Sequence, residues 1–206
     1  SHVNRCHGEE PSGSLRVVIS VMAEPQPDRG LVGRTLGSYR ILESLGSGGM
    51  GQVYLAEHAM LSRRVALKVL PPELAQMLST DRFRREIEVS ARLQHPHIVP
   101  LLTAGVVDGL LYYTMPLIEG ESLRARLEKS GELPVEEARR LLRDVADALV
   151  YAHEHGVIHR DIKPDNVLVT AGHAVVTDFG VAKAMSESAG PAGESGITSV
   201  GFAIGT

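Results

Sequence analysis

The sequence predicts an α+β fold in two parts: an antiparallel sheet with one main helix, then a mainly helical portion. Three observations predict it. Segments rich in β-branched and aromatic residues follow one another from Tyr39 to Leu70, joined by glycine and polar turns. One amphipathic helical stretch, residues 79–93, comes next. A longer one runs from Pro134 to about His155, and its apolar positions keep the i, i+3, i+4, i+7 spacing of a helix with one buried face.

Composition narrows the class before any motif is considered. The chain has 206 residues, room for one core or two small lobes. Hydrophobic residues make up 43 % and charged residues 22 %, the balance of an ordinary soluble globular protein. A formal net charge of −4, with no dense basic patch, argues against nucleic acid as a partner. Cys6 is the only cysteine, which excludes a disulfide framework and suits a reducing cytoplasm. The apolar run Val17–Ala23 is broken by Ser20 and is too short to span a bilayer or to form a signal-peptide core. Residues 1–36 carry Pro, Gly, Ser and charge without sustained period, and are expected to be a disordered or linker segment. The chain starts at Ser1 and its first methionine is Met22, so residues 1–21 read as linker or upstream sequence.

Taken in order, Tyr39–Leu45 starts the first strand, Gly46-Ser47-Gly48-Gly49-Met50-Gly51 is a glycine turn, and Gln52–Glu57 is the return strand. Such a turn lets backbone N–H groups approach a phosphate, because no Cβ stands in the way. A dinucleotide fingerprint would need a helix after the glycines. QVYLAE follows instead, so the hairpin is preferred. Arg63–Leu70 is the third strand, with Ala66, Lys68 and Leu70 on one face and Val65, Leu67 and Val69 on the other. Lys68 is the lone charge in this apolar run, and the plain explanation is an edge-strand lysine.

Pro71-Pro72 ends the strand. In the helix at 79–93, Phe83, Ile87 and Leu93 mark the apolar stripe, and Glu86 and Ser90 fall within it. Glu86 either pairs with Arg82 in solvent or needs a buried cation, whereas Glu88 points to the opposite face. After His95-Pro96-His97, Ile98–Ala104 and Leu110–Met115 read as strands joined by a loop containing Asp108-Gly109. Glu121–Lys129 reads as a short helix. In the long helix the stripe is Ala138, Leu141, Leu142, Val145, Ala148, Leu149 and Ala152, and Pro134 with Glu136-Glu137 suits its start. No chemistry is assigned to it. His153 and His155 diverge by about 200° around this helix, and no zinc site is assigned. Gly156 ends the helix. Val167–Val169 and Ala174–Thr177 form a small hairpin that delivers Asp178.

Chemistry concentrates in HRDIKPDN, residues 159–166, and in Asp178-Phe179-Gly180. The carboxylate of Asp161 can accept a hydroxyl proton, and Lys163 can sit against a transferring phosphate. Asn166 and Asp178 offer the hard oxygen ligands that magnesium takes. Together the glycine hairpin, strand lysine, helix glutamate, HRDIKPDN and DFG, in this order, resemble a eukaryotic-type Ser/Thr protein kinase, close to the bacterial membrane-sensor branch. The resemblance covers about residues 39–206. Antibiotic-phosphotransferase-type small-molecule kinases share some of these groups, but do not usually carry the full HRDxKPxN and DFG together.

The resemblance implies a two-lobed protein-kinase-like fold. Residues 37–115 would be the N-lobe, and 116–206 the hinge and an incomplete C-lobe ending in the activation segment. The implied cofactors are ATP and Mg2+. Gly46, Gly48, Gly49 and Gly51 would cover the phosphates, Lys68 would hold them, and Glu86 would pair with Lys68. Val53, Ala66 and Leu168 would sandwich the adenine, with Met115 at the back of the pocket. The backbone of Leu117 or a neighbour would bond the base, since Pro116 has no N–H to give. Asp161, Lys163 and Asn166 would be catalytic, and Asn166 and Asp178 would hold metal. His159 would be structural, packed on Phe179. Arg160 would receive a phosphate from the activation loop. Residues 184–200 would form that loop, with Thr198 and Ser199, then Ser195, as acceptor candidates; Thr206 would bond Asp161 and Lys163. Lys163-Pro164 points to Ser/Thr acceptors in a protein substrate. The partners implied are that substrate and a homodimer for autophosphorylation. There is no nucleic acid, and membrane contact would come only through further segments. The alternative function is a non-catalytic nucleotide-binding or interaction module, a truncated kinase or pseudokinase.

Overall fold

The computed structural model describes residues 30–48, 51–72 and 80–179. Six strands form one antiparallel sheet: β1 (Thr35–Leu36), β2 (Tyr39–Gly48), β3 (Gly51–His58), β4 (Arg63–Val69), β5 (Thr103–Val107) and β6 (Leu110–Pro116), in the order β1-β2-β3-β4-β6-β5. Helix α1 (Thr80–Ser90) follows β4. A second sheet of three strands, β7 (Glu121–Ser122), β8 (Val167–Thr170) and β9 (His173–Val176), goes with α2 (Leu123–Ser130) and α3 (Val135–Glu154).

The period-2 alternation of the strands divides the core. One face of the large sheet carries Val53, Ala66, Leu70, Tyr113 and Met115, and packs on Phe83 and Ile87 of α1 and on Leu168 and Val175 of the small sheet. The other carries Tyr54, Val65, Leu67, Val69 and Tyr112, and is covered by Leu31 and Leu36. Those two leucines are 2 % and 0 % exposed, and β1 pairs with β2 through Thr35–Arg40 and Leu36–Tyr39. The expected disorder up to residue 36 is therefore corrected for residues 31–36. Isolated leucines in polar sequence show no period, yet burying two of them completes that face. Residues 1–29 lie outside the described residues.

Other boundaries shift for physical reasons. β2 runs through Gly48, which pairs with Gly51, so the expected turn is shorter than the glycine run suggests. Gly49 and Met50 lie outside the described residues. The anticipated strand Ile98–Ala104 does not form as such, because Pro100 has no N–H for a ladder. Ile98 makes only a parallel bridge to Val176, with Val99 N–H donating to the Val176 carbonyl (2.8 Å), and β5 begins at Thr103. Glu121 belongs to β7 rather than to a helix. Ser122 caps α2, its Oγ accepting from the Ala125 N–H at 3.1 Å.

Helix α3 holds the hairpin that carries the metal candidate. Its buried Asp144 accepts from the Ala174 N–H at 3.0 Å and from His173 Nδ1 at 3.1 Å, and Arg140 Nε donates to the Gly172 carbonyl at 2.8 Å. Leu142, expected in the apolar stripe, is 69 % exposed, as helix spacing leaves it beside rather than under the buried line of Leu141, Ala148 and Ala152. No helix among the described residues is long and apolar enough to cross a membrane.

Candidate active site

Strand register assembles the upper half of the site. Val53 on β3 pairs with Lys68 on β4, which pairs with Tyr113 on β6; Ala66 pairs with Met115. Residues directly opposite in a ladder share a face, so Lys68, Tyr113, Ala66 and Met115 all turn toward the small sheet. There they meet Leu168, with Leu117 and Ile118 packed beside them. The structure thus brings together five residues of the expected adenine site: Val53, Ala66, Met115, Leu117 and Leu168. Of the glycines, Gly46 and Gly48 end β2 and Gly51 opens β3. Gly51 has φ +125°, and a Cβ there would collide with the Val69 carbonyl.

The lower half is the loop after α3. Asn166, in a one-turn 3-10 segment (Pro164–Asn166), donates its amide to the Asp161 carbonyl (2.8 Å) and to Asp161 Oδ2 (2.9 Å). Lys163 Nζ lies 2.8 Å from the same Oδ2. Asp161 keeps 24 % of its side chain exposed, so its carboxylate can still meet a hydroxyl from solvent. His159 is 1 % exposed. Its Nδ1 accepts from the Asp161 N–H (3.3 Å), its Nε2 donates to the Thr177 carbonyl (2.7 Å), and its ring stands edge-on to Phe179 at 4.6 Å. Burial holds this imidazole below its ordinary pKa, against the pull of the Thr177 carbonyl. It is a neutral spacer that orients the loop.

Thr177 joins the halves. Its N–H donates to the Asn166 carbonyl at 3.0 Å, and its Oγ1 donates to Met115 Sδ at 3.4 Å. Asp178 follows. Lys68 Nζ meets its Oδ2 at 2.5 Å, and Tyr113 Oη donates to its Oδ1 at 2.6 Å. Burial would raise the Asp178 carboxyl, but the Lys68 ammonium and the Tyr113 hydroxyl more than offset that and hold it below the ordinary value. Arg160 (φ 67°) and Asp178 (φ 66°) both adopt left-handed backbone. Non-glycine residues hold that conformation where the surroundings fix it, commonly at functional sites.

The ammonium of Lys68, expected to pair with Glu86, is shown held by Asp178. The Asp178 side chain is almost fully buried and needs a counter-charge, whereas Glu86 is half-buried. Tyr113 was missed by the sequence reading. Its only signal there was a polar hydroxyl at the same strand parity as Met115. Gly49, Gly180, Ser195, Thr198, Ser199 and Thr206 lie outside the described residues.

A family model of the protein kinase domain matches residues 39–200, and the chain belongs to that family. It is similar to serine/threonine-protein kinase PknD of Mycobacterium tuberculosis, 42 % identical over 85 % of this chain and 26 % of that protein. It is also similar to PrkC of Bacillus subtilis, 39 % identical over 77 % of this chain and 25 % of that one. Among solved structures, the Mycobacterium tuberculosis PknI kinase domain matches with a TM-score of 0.64 at 38 % identity, over 73 % of this chain and 62 % of that chain. The chain spans about a quarter of the length of these curated relatives.

Proposed function

We propose that this chain carries the nucleotide-binding lobe and catalytic loop of a serine/threonine protein kinase. It transfers the γ-phosphoryl group of Mg-ATP to a Ser or Thr hydroxyl of a protein, its own activation segment included. The supporting observation is a pair of carboxylates in opposite settings. Asp161 is partly open to solvent and bound to Lys163 and Asn166; Asp178 is sealed against Lys68. The open one suits a hydroxyl, whose proton it accepts and whose oxygen it aims. The sealed one suits a ligand site. Lys68 and Lys163 supply positive charge for the phosphates, and the glycines of the β2–β3 hairpin supply close backbone approach. Val53, Ala66, Met115, Leu117 and Leu168 form the apolar slot for the base. Catalysis of this kind is positioning plus electrostatic stabilisation.

Asn166 and Asp178 fit magnesium. The Asn166 nitrogen is committed to Asp161, which leaves its oxygen to coordinate, and both residues offer the hard oxygens that this ion takes. When bound, magnesium neutralises charge on the nucleotide phosphates. In this reading the N-lobe takes in residues 31–36 with β1 and runs on to about residue 115, and the hinge and C-lobe portion follow from residue 116. The kinase works in the cytoplasm, where Mg-ATP is abundant, and pairs with a second copy for autophosphorylation.

The test is Asp161→Asn in a protein that spans the full kinase domain of the relatives. Transfer of labelled γ-phosphate to protein is expected to fall by about 10²-fold or more, with ATP affinity changed by less than about threefold. Transfer that survives the substitution refutes the role of Asp161. A wild-type protein that binds ATP and transfers nothing favours the non-catalytic module.

A further inference from the structure

We propose that Tyr113 is a positioning residue for Asp178: its hydroxyl fixes the carboxylate through Oδ1 and leaves Oδ2 as the oxygen that exchanges Lys68 for a metal cation. This rests on the reading of Asp178 as a magnesium ligand. Tyr113 and Lys68 stand opposite each other in the β4–β6 ladder, and each takes one oxygen of the same carboxylate. The two grips differ in kind. Tyr113 is 2 % exposed and its ring lies in the cluster with Phe83 and Ile87. A tyrosine side chain has two torsions, and here packing fixes both. Lys68 holds its oxygen from the end of a four-carbon stem with more freedom. The tyrosine grip therefore persists while the lysine grip can move.

A small cavity of about 20 Å³ borders Tyr113, Asp178 and Met115, room for about one water molecule. No other described side chain is shown reaching Oδ1. Without the hydroxyl the carboxylate loses the bond that sets its rotation. Partners that orient a metal-binding carboxylate typically cost 10–100-fold in metal affinity when removed.

The experiment measures ADP binding by calorimetry on the 206-residue chain, wild type and Tyr113→Phe, in EDTA and in Mg2+. Both proteins are expected to bind ADP within about twofold of each other in EDTA, while the Mg2+-dependent gain in affinity falls about tenfold in the variant. Mn2+, followed through its electron paramagnetic resonance signal in the presence of ADP, is expected to show the same tenfold loss. Asp178→Asn should remove the gain, and adding Tyr113→Phe to it should change nothing further. Tyr113→Met, which keeps bulk without a donor, repeats the comparison if the phenylalanine variant does not fold. A variant that keeps the Mg2+ gain within twofold overturns the role of Tyr113 alone. A wild-type chain with no Mg2+-dependent gain overturns the metal reading of Asp178, and the proposal falls with it.

Discussion

Replacing Lys68 by methionine tests the buried pair at the centre of the site. Methionine keeps most of the aliphatic stem and removes the charge, leaving Asp178 sealed with the Tyr113 hydroxyl as its remaining partner shown here. The two side chains of the pair are 8 % and 6 % exposed, so solvent screens little of the loss. Removing one partner of such a pair costs about 3–5 kcal/mol. For a chain of this size that lowers the unfolding midpoint by about 6–20 °C. The pH dependence then changes sign. In the wild type the folded pKa of Asp178 is depressed. Its contribution is present above the unfolded value of about 3.9 and lost as pH falls through the lower folded value. In Lys68→Met, burial acts without the ammonium and raises the folded pKa. The contribution is then present below the unfolded value and lost as pH rises through the folded one. The stability gap should be widest near neutral pH and narrow on acidification, toward the about 1–2 kcal/mol of a lost hydrogen bond. Thermal unfolding by circular dichroism in metal-free buffer, at pH 7 and pH 4.5, measures both gaps. Equal gaps at the two pH values, or a gap under about 1 kcal/mol at pH 7, would refute the assignment.

Three further substitutions probe the frame around that pair. His159→Phe removes a donor to Thr177 and an acceptor for the Asp161 N–H, and should cost about 1–3 kcal/mol. Because burial lowers the folded His159 pKa, the unfolded chain takes up its proton first, and wild-type stability falls as pH drops below about 6.5. Urea midpoints at pH 7.5 and 5.5 should show a shallower acid slope in the variant; an unchanged slope would mean His159 is not held neutral. Gly51→Ala faces both a positive φ and the Val69 carbonyl. It should lose at least about 2 kcal/mol and weaken nucleotide binding. Gly109→Ala, with positive φ but open space around it, should lose about 1 kcal/mol and leave binding intact.

The parts legible in the sequence were those whose pattern is local. Alternation in RVALKVL placed Lys68 and Ala66 on one face without ambiguity, and the stripe of α3 gave that helix nearly to the residue. The loop at 159–166 was readable because its groups lie within one short turn of each other. Tyr113 was not readable, because its place depends on β6 pairing with β4 rather than with its sequence predecessor alone. Glu86 was expected as the Lys68 partner, ahead of Glu88, because spacing reveals which stripe of a helix a carboxylate lies on; it does not reveal that the fold brings Asp178, 110 residues along the chain, to the same ammonium. Leu31 and Leu36 escaped notice because two apolar residues in a polar tail have no period to detect.

The three bonds of Thr177 carry a consequence for how this pocket can change. Its amide and carbonyl belong to the loop below, its hydroxyl to the sulfur of Met115 above, and its next neighbour is Asp178. A larger side chain at position 115 would press on Thr177, and through it on the backbone that carries Asp178. The pocket therefore has little latitude to be resized from that side without disturbing the buried carboxylate beside it.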